Sequence, residues 1–122
     1  MKHKLAILLT CHNRKAKTLA CLDALYNANL PLNSKVHVFL TDDGSGNGNL
    51  FWNQGMRLAW QTAMKTENYD FYLWLNDDTI IDKNSLVELV ENFNETQKKD
   101  KQPSIILGTC RAEFDKDEFS YG

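Results

Sequence analysis

Leu5-Ala6-Ile7-Leu8-Leu9 is the longest unbroken aliphatic run in this chain of 122 residues. It does not alternate, so Lys4 to Thr10 predicts a strand buried on both faces. Helical spacing follows. Leu19, Leu22 and Leu25 with Tyr26 share one stripe and predict a helix over Ala16 to Asn27, with Pro31 beyond its end. Lys35 to Leu40 alternates, with Val36, Val38 and Leu40 on one side and Phe39 on the other, which predicts a second strand. Asp42 to Asn49 holds three of the six glycines and reads as a loop. Leu50 to Thr66 then repeats helically through Trp52, Met56, Ala59 or Trp60, and Ala63. Phe71 to Leu75 is a third strand, aromatic and fully buried in character. Leu86, Leu89, Val90 and Phe93 predict a helix from Ser85 to about Lys98, with Ser85-x-x-Glu88 as a capping box. Pro103 ends the linker, and Ser104 to Leu107 reads as a fourth strand.

Strands that alternate with helices predict an α/β fold: a mostly parallel sheet with helices on both faces. One domain over residues 1–122 accounts for the length. Ligands of such sheets bind beyond the carboxyl ends of the strands. The predicted strand ends are Thr10, Asp42-Asp43 and Asn76-Asp77-Asp78, so two of the three carry paired aspartates.

Composition narrows the classes. Hydrophobic residues at 43% and charged residues at 25% are globular values, which excludes a disordered or fibrous chain. A net charge of −2 argues against a general nucleic-acid binder. Basic residues outnumber acidic ones up to Gln61, and the balance reverses after it. The apolar run near the N-terminus is short and lacks a small-residue cleavage site, so a buried strand describes it better than a signal peptide. No stretch reaches the roughly 20 apolar residues of a membrane span. The 3 cysteines, without a Cys-x-x-Cys pair, suggest neither a disulfide framework nor a zinc site, and a cytoplasmic location is expected.

Adjacent carboxylates at a buried strand end repel each other unless a cation or hydrogen-bond donors compensate. A hard divalent ion, Mg²⁺ or Mn²⁺, does this with one or two carboxylates plus phosphate oxygens. The plainer alternative is that Asp77 or Asp78 caps a following turn or helix. Likewise, Asp42 or Asp43 could accept from a base or a ribose hydroxyl, or could simply build a tight turn with Gly44 and Ser45. From Asp43 the residues Ser45, Asn47, Gly48 and Gln54 follow the spacing of a calcium-binding EF-hand loop. Gln54 stands where a bidentate glutamate is needed, and the preceding segment is a strand, so this alternative is the weaker one. Cys11 and His12 point to opposite faces of a strand and make no nucleophile–base pair. His3 and His37 lack metal-ligand spacing. Arg57 could reach a phosphate or lie exposed on its helix, and Trp52, Trp60 and Trp74 read as core or cleft wall.

Together these stretches resemble family 2 glycosyltransferases. Leu9-Thr10-Cys11-His12-Asn13-Arg14 resembles the family's first-strand Thr-x-Tyr-Asn-Arg motif. Phe39 to Ser45 resembles its Asp-Asp-Gly-Ser motif, and Leu73 to Thr79 its acidic metal motif. Gly48 to Arg57 is similar to the rhamnosyltransferase-like branch. The resemblance implies the Rossmann-like nucleotide-sugar half of a GT-A fold, an N-terminal portion of a longer enzyme. It implies that Thr10 and Asp43 contact the base with Asp42 beside them, and that Asp77 contacts the ribose. Asp78 would ligate Mg²⁺ or Mn²⁺, and Asn47 and Gly48 would lie near the nucleotide. The donor would be a UDP- or dTDP-sugar, with rhamnose suggested by the branch. The acceptor would be a glycan or lipid-linked hydroxyl, which allows peripheral membrane association. Two positions depart from the family pattern: Asn76 stands at the first acidic position, and His12 replaces tyrosine. The family's general base lies in a later region, and Glu113, Asp115, Asp117 and Glu118 read as a charged surface turn. A non-catalytic nucleotide-binding or regulatory module of the same fold is the alternative. A receiver-type phospho-acceptor domain fits less well, because its acidic pair should follow the first strand.

Overall fold

The computed structural model describes residues 3–11, 15–42, 52–111 and 119–121. The elements run β1 (His3–Cys11), α1 (Lys15–Asn27), β2 (Ser34–Asp42), α2 (Trp52–Thr66), β3 (Phe71–Trp74), α3 (Ser85–Asp100), β4 (Thr109–Arg111) and β5 (Phe119–Tyr121). Among the described residues β2, β1 and β3 form a parallel sheet in that order, with β1 in the centre. This is the expected α/β arrangement at its coarse level.

β1 explains the layering. Leu5 to Leu9 are all buried, and their side chains alternate between two cores. On one face Ala6 and Leu8 pack with Met56, Ala59 and Ala63 of α2 and with Tyr69. On the other face Ile7 and Leu9 pack with Cys21 and Leu25 of α1, Leu75, and Leu86 of α3. Helices therefore cover both faces. Burying Ile7, Leu8 and Leu9 contributes about 1.5–3 kcal/mol for each side chain.

Four expectations change. The buried stripe of α1 is Thr18, Cys21 and Leu25 with Leu22 half-buried, a spacing of three, four and seven. Leu19 and Tyr26 are exposed. The reason is rotational: Leu22 and Leu25 belong equally to two overlapping stripes, and the sheet selects the one that also hides Cys21. Secondly, β3 is half-buried rather than fully buried, because it has only one sheet neighbour among the described residues. Its aromatic side chains still alternate, with Phe71 against Phe93 of α3 and with Tyr72 and Trp74 against Trp60 of α2.

Thirdly, Ser104 to Leu107 is not a strand. Ile105 and Leu107 stand exposed, and the chain first enters a ladder at Thr109, where β4 pairs antiparallel with β5. The apolar run marks an extended segment, but a strand also needs a partner edge. Fourthly, no capping box forms at α3. Asn84 is the N-cap without a side-chain capping bond, and its Oδ1 accepts from Asn29 Nδ2 at 2.7 Å instead. The Glu88 amide bonds the Asn84 carbonyl at 2.9 Å, so it is already satisfied by the helix. Lys101 ends α3 in the left-handed region at φ 56° and donates its amide to the Gln97 carbonyl.

At the amino ends of the strands, Glu67 bridges Lys4 of β1 at 3.1 Å and Lys35 of β2 at 3.3 Å. These partly exposed pairs align the strand starts and contribute little stability. The Tyr69 hydroxyl meets Nδ1 of His37, and its ring stands edge-on to Phe39. The opposite end of the sheet has one tight contact. A Cβ placed on Gly55 would lie 2.8 Å from the Thr10 Cβ, so α2 can sit this close to β1 only with glycine there. Gly55→Ala should therefore destabilise the fold by about 1–3 kcal/mol. Removing the obstructing atoms in Thr10→Gly/Gly55→Ala should recover part of that loss, read from urea midpoints.

Candidate functional site

The parallel strands bring their carboxyl ends to one rim. Register sets Thr10 of β1 opposite Thr41 of β2, and Cys11 opposite Asp42. On the other side Leu8 pairs with Trp74, and the Leu75 amide donates to the Leu8 carbonyl at 3.1 Å. That bond places Asn76-Asp77-Asp78 just beyond β3. Thr41 Oγ1 donates to the Gly55 carbonyl at 2.9 Å and ties the start of α2 to the same rim.

The adjacent carboxylates Asp77 and Asp78 differ sharply. Asp77 is only 2% exposed, and Thr18 of α1 donates its hydroxyl to Asp77 Oδ2 at 3.2 Å. A buried carboxylate must be paid for by donors or positive potential. Thr18 supplies a donor, and it lies in the first turns of α1, the end at which a helix favours negative charge. Asp78 is exposed. Below this turn the chain descends to Lys83, whose carbonyl accepts from the Asn29 amide at 2.8 Å. The acids therefore sit on a strap fixed at both ends.

Two cysteines join the rim. Cys11 is half-buried, and its thiol donates to Asp42 Oδ1 at 3.7 Å. Cys21 is buried and donates to the Asn76 carbonyl at 3.6 Å. Burial, then Asp42, then Asp77 push the Cys11 thiol above its ordinary value of 9.0. Burial and then Asp77 do the same at Cys21. Sequence reasoning passed over Thr18 and Cys21 and weighed Cys11 only as a nucleophile. The available signal was Thr18 itself, a polar side chain in line with Cys21, Leu22 and Leu25 at core spacing.

Of the predicted site residues, the structure brings Thr10, Asp42, Asp77 and Asp78 to this rim. Asp43, Asn47 and Gly48 lie outside the described residues, as do His12, Asn13, Arg14 and most of the EF-hand-like loop. The segment before that loop is the strand β2, as the argument against calcium required. Arg57 lies on α2. It lines a groove of about 370 Å³ with Trp60, Gln61, Met64 and Trp74, so these two tryptophans form a cleft wall.

Among the described residues no three His, Cys, Asp or Glu side chains form a ready ligand set for a metal. A Mg²⁺-type ion asks for less: one or two carboxylates, completed by phosphate oxygens and water. The exposed Asp78 beside a fixed Asp77 fits that requirement. Also among the described residues, no helix is long and apolar enough to cross a membrane. No protein-family model, curated protein or solved structure matches the chain.

Two measurements check the rim. Thr18→Val should cost about 1 kcal/mol or more in urea unfolding, because Asp77 stays buried without that donor. Stability should also fall as pH rises. The folded chain keeps thiol protons that the unfolded chain releases, so the contribution is complete below about pH 9 and is lost above it. Cys21→Ala should flatten that alkaline decline relative to the native chain.

Proposed function

We propose that this chain is the donor-binding portion of a metal-dependent glycosyltransferase that uses a nucleotide-sugar. The observation that supports the reading best is the convergence of Asp42 and Asp77-Asp78 at the carboxyl ends of the two strands flanking β1. This is where open parallel sheets take nucleotides. The likeness of the strand-end motifs to family 2 glycosyltransferases supplies the reaction class.

In this reading each residue has a separate task. Thr10, with Asp42 and Asp43, forms the nucleoside end. Thr18 holds Asp77, which sets the turn that presents Asp78 and borders the ribose. Asp78 offers its carboxylate to Mg²⁺ or Mn²⁺, and Asn47 and Gly48 lie along the nucleotide. When bound, the divalent ion would neutralise the leaving nucleoside diphosphate. The donor is a UDP- or dTDP-sugar, and the acceptor is a hydroxyl on a glycan or a lipid-linked carrier. The reaction belongs to the cytoplasmic side of a cell, where such donors are made.

Thermal-shift measurements with UDP, dTDP and GDP, each with and without Mg²⁺ or Mn²⁺, test the reading. One nucleotide with metal at about 100 times its dissociation constant should stabilise the chain by about 2.7 kcal/mol. Asp78→Ala should abolish the metal-dependent part and leave the unliganded melting temperature nearly unchanged. Asp43→Ala should weaken nucleoside binding even without metal. A folded chain that responds to no nucleotide overturns the proposal. A response to Ca²⁺ alone would point to the 43–54 loop instead. Sugar transfer to an acceptor separates a transferase from a nucleotide-binding module.

A further inference from the structure

Cys11 is the last residue of the central strand, and acids follow on both sides of it. The register of β1 and β2 places it directly across from Asp42. Its sulfur lies 3.7 Å from Asp42 Oδ1, within the reach of a thiol donor. The Thr18 hydroxyl donates to Asp77 Oδ2 on the turn after β3. Asp42 and Asp77 are thus each met by one neutral donor, Cys11 on β1 and Thr18 on α1.

We propose that Cys11 is a positioning residue of the nucleoside subsite: its thiol holds the Asp42 carboxylate at the sheet rim. The inference rests on the reading of these acids as a nucleotide site. Holding a carboxylate here takes a hydrogen-bond donor. A carboxylate or a carbonyl would repel Asp42, and an aliphatic side chain would leave it without this bond. A thiol can act only while protonated, and burial together with the two carboxylates keeps it so. Asp42 is exposed at the strand end, and the thiol approaches one of its two oxygens, Oδ1. Even a weak bond then biases which way its oxygens face. Substrate contact stays with Asp42, and Cys11 acts through it.

The test is a double-mutant cycle on the whole chain. Nucleoside diphosphate affinity is measured for the native chain, Cys11→Ala, Cys11→Ser, Asp42→Ala and Cys11→Ala/Asp42→Ala. Cys11→Ala should weaken the preferred nucleotide by about three- to tenfold, the size of one net hydrogen bond. Cys11→Ser should restore affinity to within about twofold, because a hydroxyl also donates. In the Asp42→Ala background, Cys11→Ala should have no further effect. A loss that persists there would mean a merely structural role and would overturn the inference. So would native affinity in Cys11→Ala while Asp42→Ala binds weakly, and that result would leave the proposed function standing. A native chain that binds no nucleotide overturns both.

A second measurement needs no nucleotide. In a Cys110→Ser background, Cys11 is the accessible thiol and Cys21 is buried. Asp42→Asn removes the negative charge beside Cys11, so alkylation by neutral iodoacetamide at mildly alkaline pH should speed up. An unchanged rate would show that the thiol and the carboxylate do not interact, and would overturn the inference.

Discussion

The structure depends on hiding β1 from water on both faces. Five consecutive buried side chains, Leu5 to Leu9, admit neither a solvent face nor an edge position. Both neighbours must be strands, and both faces need apolar covers. The chain meets this with α2 on one side and with α1 and α3 on the other. The chemistry at the rim follows from the same requirement. β2 and β3 run parallel to β1, so their polar ends arrive beside its end. Asp42 and the Asp77-Asp78 turn are neighbours because aliphatic side chains tens of residues away in sequence had to be covered.

The rim shows how a packed core adjoins a polar site. Thr10, Thr18 and Thr41 are small, partly apolar residues that also carry hydroxyls. Two of them spend those hydroxyls on fixed partners, Thr18 on Asp77 and Thr41 on the Gly55 carbonyl. Gly55 lets the helix come close enough for the second bond. Asp42 and Asp77 are bonded to two different elements, β1 and α1, so the two acids do not rely on one loop for their positions.

The strand and helix order was legible because each element carries its own period. The double-faced burial of β1 was visible in the unbroken run from Leu5 to Leu9. What could not be read was partnership. Ser104 to Leu107 has the composition of a strand, and nothing in those residues says whether an edge is within reach. Leu19 and Thr18 compete for the inward face of α1, and hydrophobicity alone favours Leu19. The inward face takes Thr18, along with Cys21, and Thr18 donates there to Asp77, a partner lodged 59 residues away. For the site, the paired aspartates stood out as charge at strand ends. Their unequal burial did not, since it depends on which of two neighbours turns toward α1. Asn84 was hidden as a cap for a similar reason: its side chain is engaged by Asn29.

The central strand is synthesised before either of its sheet partners. Its partner β2 ends at Asp42, but its other neighbour begins only at Phe71. At about 5–20 residues per second, a ribosome needs several seconds to make the chain between β1 and β3. During that interval the aliphatic strand has at most one edge paired and part of its surface open. A nascent chain of this design presents its aliphatic strand before the elements that cover it exist. Its yield in a cell will therefore depend on how well Leu5 to Leu9 are shielded while the rest is being made.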